Sequence, residues 1–270
     1  WQARRAFLQL GGAAASAAAM PAWAQVEVGA ASRLRHLVPA QELEDAASQQ
    51  YTALIQQAHT KGLLMPSSSP QTQRLQQIAK HLIPHTFTWN ERARQWNWAV
   101  ALIRSDDVNA FCMPGGKVAF FTGIIDKLQL SDDECAMIMG HEMAHALREH
   151  SREQLAKNSA TSLGISLGAQ LLGLGEVGNY AARLGGQLLS LRFSRSDETD
   201  ADLVGLEIAA RAGYNPNASV SLWQKMERVT SSGNNLAFLS THPSGPERIR
   251  ELQRNVPRVQ ALYEAARRMR

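Results

Sequence analysis

From position 39 the chain places apolar side chains at helical spacing. Leu43, Ala47, Tyr51, Leu54 and Ala58 recur every three or four residues to about Lys61, where Gly62 and the loop "MPSSSP" end the pattern. A second helix is expected from Gln71 to about Ile83, closed by Pro84. Over "WNWAVALIRSD" (96–106) the segment alternates and carries β-branched and aromatic side chains, which predicts a strand. "NAFCMPGGKVAFFTGII" then reads as a short strand, a Pro-Gly-Gly turn and a second strand from Lys117 to Thr122. Ser131 followed by Glu134 is a helix-opening pair, and the helix it starts is expected to run unbroken from Asp132 to about Lys157. The stretch 160–193, rich in small and apolar residues, predicts two closely packed helices whose apolar runs are too short to cross a bilayer. Further on, Trp223 and Met226 have the spacing of a buried helix face. The expectation is an α+β fold, mainly α-helical, with a small hairpin-based sheet packed on the 132–157 helix.

Composition narrows the classes. At 270 residues the chain can bury a sizeable core, and 44% hydrophobic with 19% charged residues is ordinary globular usage. A net charge of +4, two units of it from Arg4 and Arg5, argues against a nucleic-acid partner. The first 24 residues read as an export signal: a paired arginine followed by x-Phe-Leu, an Ala/Gly stretch, and a small-x-small end at Ala22-Trp23-Ala24. The arginine pair is of the twin-arginine type, so a periplasmic location, with cleavage after Ala24 or retention as an anchor, is the expectation. Residues 25–70 would form a helical segment packed on the core, and 71–270 the main domain. Cys112 and Cys135 stand alone, either as two small buried hydrophobes or as a disulfide.

The candidate chemistry lies in "GHEMAH" (140–145). On a helix, His141 and His145 project from one face one turn apart, so both imidazoles can reach a single zinc ion. Glu142 points about 100° away, badly placed as a co-ligand but well placed beside a metal-bound water, where a general base belongs. Small Gly140 and Ala144 would leave room around the metal. A third ligand must come from elsewhere. His150 lies nearly opposite His141 on a continuous helical wheel and is assigned to the surface. In "SRSDETDADLVGLEIAARAGYNP" (194–216), Glu198 and Asp202 share a face, so Glu198 can complete the ligand set while Asp202 bonds the outer nitrogen of a ligand histidine. The plainer reading of "DETDAD" is an acidic first turn favoured by the helix dipole.

"NAFCMPGGKVAFFTGIIDKL", "GHEMAHALREH", "SRSDETDAD" and "THPSGPERI", in this order and spacing, resemble the HtpX-like zinc metallopeptidase family, which also contains the CAAX prenyl protease and Oma. The likeness is to its exported bacterial LoiP/YcaL-type branch and covers about Gln71 to Leu252. It implies a gluzincin with one zinc ion bound by His141, His145 and Glu198, Glu142 as base and Asp202 behind a ligand. It further implies that Asn109, Ala110, Phe111, Cys112 and Met113 offer a strand edge to an extended substrate. The implied activity is a metalloendopeptidase of the cell envelope acting on unfolded or misfolded proteins; the alternative is a chaperone or assembly adaptor on the same scaffold. A peripheral membrane or outer-membrane assembly partner and the oligomeric state stay open. So does His242, which could donate to the oxyanion alongside Arg248, enter as a fourth ligand that latches the site, or be a buried structural histidine.

Overall fold

The computed structural model describes residues 26–162, 188–231 and 236–269. The expected export signal, and most of the stretch read as two packed helices, lie outside the described residues. No helix among the described residues is long and apolar enough to cross a membrane.

A short 3-10 turn, Arg33–Leu37, precedes α1 (Ala40–Thr60) and α2 (Pro70–Leu82). Three strands follow: β1 (Ala99–Ile103), β2 (Ala110–Met113) and β3 (Lys117–Phe121). Gly115 and Gly116 both have positive φ, which lets the β2–β3 hairpin close. β3 pairs antiparallel with β2 and parallel with β1, giving the order β1-β3-β2. The sheet is thus more than a hairpin, and β2 is left on its edge.

The sheet is buried on both faces. Val118, Phe120, Ala110 and Cys112 face the larger core, shared with α2, α4 (Asp132–Leu147), α6 (Arg195–Arg211), α7 (Ala218–Ser231) and α9 (Pro246–Met269). Ala119, Met113 and Ala101 face a smaller core closed by α1 and α5 (His150–Ser162), with Tyr51 donating its hydroxyl to the Val118 carbonyl. Two short helices, α3 (Thr122–Leu128) and α8 (Ala237–Thr241), fill the gaps. Trp223 and Met226 are buried, as their spacing predicts, and Cys112 and Cys135 are both free thiols in the interior.

The expected 132–157 helix is two helices. Ser131 and Glu134 form a complete capping box at its start. The helix then stops at Leu147, because Glu149 adopts the left-handed conformation (φ 61°) and α5 leaves in a new direction. Arg152 and Arg35 both pair with the Glu149 carboxylate, holding that turn from two sides.

The crossing of α4 and α6 fixes the site. A Cβ on Gly140 would lie 2.8 Å from the Gly205 carbonyl, and one on Gly205 would lie 2.6 Å from the His141 amide nitrogen. Only two glycines allow the backbones to approach this closely. Gly140 therefore serves the helix crossing rather than leaving space for a metal.

Candidate metal centre

α4 carries His141, Glu142 and His145; α6, two turns before its Gly205 contact, carries Glu198 and, one turn on, Asp202. Ser194 caps α6 through a second capping box with Asp197, which sets the register of its first turn. His242 follows α8, and Arg248 sits in the first turn of α9.

These elements bring His141, His145, Glu198 and His242 together with one ligand atom from each, all within 4.8 Å of one another, and all four residues are buried. The Nε2 atoms of His141 and His145 face each other at 3.1 Å. Glu198 Oε1 lies 3.5 Å from His145 Nε2 and 3.0 Å from His242 Nδ1, which is itself 3.3 Å from His141 Nε2. Glu142 is 2% exposed, and its Oε1 has no hydrogen-bond partner among the described residues, with His242 Nε2 at 3.6 Å. Glu198 Oε2 is buried against Arg248 Nη1 at 2.5 Å. A buried orphan oxygen is costly. That of Glu142, beside two imidazole nitrogens and the Glu198 carboxylate gathered within 4.8 Å, fits a cation bound by two nitrogens and a carboxylate, which is a zinc-type donor set.

The surroundings fix the ligands. His141 Nδ1 is 3.0 Å from Asp202 Oδ1. Arg248 donates Nε and Nη2 to the two Asp202 oxygens and Nη1 to the Pro243 carbonyl, with Trp223 stacked on its guanidinium at 3.8 Å. The oxyanion role considered for Arg248 therefore has no geometric basis here: its donors are spent on the carboxylates behind the cluster. Phe193 stacks on His145 (3.9 Å) and Phe238 on His242 (4.4 Å). Neither aromatic was singled out from sequence, and no local pattern marks them.

His150 is the clearest departure. It is 3% exposed, not on the surface, and its Nδ1 lies 3.0 Å from His145 Nδ1. The break at Glu149 turns it inward, which a continuous wheel could not anticipate.

The electrostatics follow burial and charge. Burial raises the Glu142 carboxyl above the usual range, against the pull of His242 and His141. Burial also opposes ionisation of Glu198 and Asp202, but the His242 hydrogen bond and Arg248 hold Glu198 low, and Arg248 with His141 brings Asp202 down to about 2. His145 is pushed well below the normal imidazole range by burial and by neighbouring His141. His150 is lowered to about 4, chiefly by burial. His242, despite its burial, is raised by Glu142 and Glu198.

Asn109, Ala110, Phe111, Cys112 and Met113 line one cleft with Glu142, His145 and His242. The cleft thus joins the edge of β2 that no strand covers among the described residues to the cluster.

A helix bearing two histidines one turn apart, crossed by a second helix that supplies a glutamate, is the arrangement of a mononuclear metallopeptidase. The sequence comparisons agree. The model of peptidase family M48 matches residues 69–256, and the chain belongs to that family. It is 35% identical over 205 residues to mitochondrial metalloendopeptidase OMA1 of Schizosaccharomyces pombe, covering 75% of this chain and 58% of that protein. It is 25% identical over 202 residues to metalloprotease LoiP of Escherichia coli (73% and 75% covered). With a putative beta-barrel assembly-enhancing protease of Vibrio cholerae it shares 32% identity over 168 residues (58% and 34% covered). The chain spans 58%, 32% and 46% of the length of the fission-yeast, Arabidopsis and budding-yeast OMA1 proteins.

Proposed function

We propose that this protein is a zinc-dependent metalloendopeptidase of the bacterial cell envelope that cuts unfolded or misfolded proteins. The observation that carries the reading is the convergence of His141, His145 and Glu198 on one point, with the unpartnered Glu142 carboxylate beside it. When bound, zinc would supply Lewis-acid polarisation of the scissile carbonyl and acidify a water. His141 and His145 would hold it through Nε2, and Glu198 through its carboxylate. Asp202 keeps the His141 proton on Nδ1, leaving Nε2 free to ligate. Arg248 fixes Asp202 and the far side of Glu198. Glu142, raised by burial and with its Oε1 free of hydrogen bonds among the described residues, takes the proton from the attacking water and passes it to the leaving amine.

The edge of β2, uncovered by any strand among the described residues, suits a substrate held by its backbone, which all unfolded chains share. His242 acts as a latch: its Nδ1 lies inside the ligand cluster, where it would occupy the position that water needs. The envelope role draws on the bacterial relatives named for protease and barrel-assembly functions, and the export reading on Arg4, Arg5 and the small-x-small end at Ala24. Periplasmic location and cleavage after Ala24 belong to the same proposal.

Metal analysis with casein digestion, with and without a chelator, tests the activity. The protein should contain one zinc per chain and cleave casein only when loaded. Glu142→Gln should retain zinc while losing about 10²- to 10⁴-fold in turnover. Retained cleavage by that variant would refute the mechanism. Binding of unfolded protein with no cleavage by the zinc-loaded wild type would favour an adaptor.

A further inference from the structure

His150 lies in the charge-rich stretch "LREHSREQ" yet is buried, and the chain departs from a regular helix to put it there. On a continuous helix it would sit nine residues, or about 180°, from His141. Instead Arg148 ends α4, Glu149 takes a left-handed conformation, and His150 opens α5 facing back towards His145. Arg152 and Arg35 pin the Glu149 carboxylate, and Arg152 also donates to the Val38 carbonyl, so the N-terminal segment braces the turn.

The contact made there is specific in its chemistry. His145 Nδ1 and His150 Nδ1 are 3.0 Å apart, so one nitrogen carries a proton and the other accepts it. His145 Nε2 points into the ligand cluster and must present a lone pair there. Its proton therefore belongs on Nδ1, and His150 Nδ1 must accept, leaving the His150 proton on Nε2. We propose that His150 is a positioning residue for the metal centre: it fixes the tautomer and ring angle of His145 as Asp202 does for His141. The two ligand histidines would then be oriented by different acceptors, a carboxylate behind His141 and a neutral imidazole behind His145. Phe193, stacked on the His145 ring, adds an orienting contact that a change at His150 leaves in place.

The proposal rests on the metal-site reading above, and its test separates the two. Zinc affinity of the full chain is measured by chelator competition for wild type, His150→Leu and His150→Gln, together with thermal unfolding of the metal-free forms. His150→Leu, which removes the acceptor, should bind zinc about 10- to 100-fold more weakly. His150→Gln, whose amide oxygen can accept the same proton, should recover most of that loss. Unchanged affinity in His150→Leu, or His150→Gln no better than His150→Leu, would overturn the proposal. A readout free of any substitution is the imidazole ¹H–¹⁵N spectrum of the zinc-loaded wild type. His150 should appear as the Nε2–H tautomer, and an Nδ1–H tautomer would overturn the assignment even if the variants fail to fold. A wild-type protein that takes up no zinc would overturn the metal-site reading, and this proposal with it.

Discussion

Gly205→Ala puts one methyl group between two helices that touch through their backbones. The added carbon would lie 2.6 Å from the His141 amide nitrogen, 2.7 Å from the Gly140 carbonyl carbon and 2.9 Å from His141 Cα. None of these is the end of a flexible side chain, so the relief must come from moving α6 away from α4. Restoring an ordinary contact of 3.4 Å needs about 0.8 Å of separation where the carbon meets the amide nitrogen. Overpacking of this kind costs about 1–3 kcal/mol of stability.

The functional consequence should be larger than the structural one. Glu198 and Asp202 ride on α6, whereas His141 and His145 ride on α4, so the displacement falls directly on the distances between ligands. A metal site tolerates about 0.2 Å in each ligand distance. We expect zinc affinity to fall at least 10-fold in Gly205→Ala, read by chelator competition, with the metal-free protein still folded by circular dichroism. Gly245→Ala is the control, since a Cβ there meets nothing within 4 Å. Wild-type zinc affinity in Gly205→Ala would refute the claim that this crossing sets the ligand geometry.

Asp202→Asn should lose a pH-dependent part of its stability deficit. Asp202 is lowered from 3.8 to about 2, so its ionisation stabilises the fold at pH above about 4 and ceases to as pH falls towards 2. In chelator, urea unfolding should show the gap between wild type and variant shrinking by about 1 kcal/mol from pH 6 to pH 3, and a constant gap would contradict the assignment. Arg248→Met leaves the Asp202 and Glu198 carboxylates without their buried cation and should cost about 3–5 kcal/mol in the metal-free protein. Zinc should recover part of that loss, and an unaltered melting temperature would sink the pairing. His242→Ala should raise turnover of an unfolded substrate if the residue latches the site, while a fall would instead make it a transition-state donor.

Periodicity was a good guide to elements and a poor one to direction. α1, α2, both hairpin strands and the helix start at Ser131 follow from spacing and capping residues, because those signals are local. The parallel pairing of β1 with β3 is not local, and nothing in "WNWAVALIRSD" specifies it. The break at Glu149 was missed because no Gly or Pro marks it: the left-handed residue is a glutamate held by arginines 114 positions upstream and three downstream. One error of direction was enough to place His150 on the wrong side of the protein. The clustering of His141, His145 and Glu198 was legible because the spacing of each pair on its helix is short. Arg248 was legible as a site residue but not in its role, since its partners come from α6 and its stacking partner from α7.

Charge explains why this site must exist as a unit. The chain's net charge of +4 is small and gives no hint of a charged pocket. Once α4, α6 and α9 meet, however, three buried carboxylates (Glu142, Glu198 and Asp202) face one buried guanidinium, that of Arg248. With the imidazoles neutral the pocket carries two negative charges in excess, the charge one divalent cation would cancel. Burial raises the Glu142 carboxyl, while Glu142 and Glu198 raise His242. Under the proposed metal-site reading, metal binding and protonation would compete for the same deficit, so metal uptake would release protons as well as tighten the fold. The arrangement of Arg248 follows from the same balance: its direct ion pairs go to Glu198 and Asp202, while Glu142 faces His242 instead.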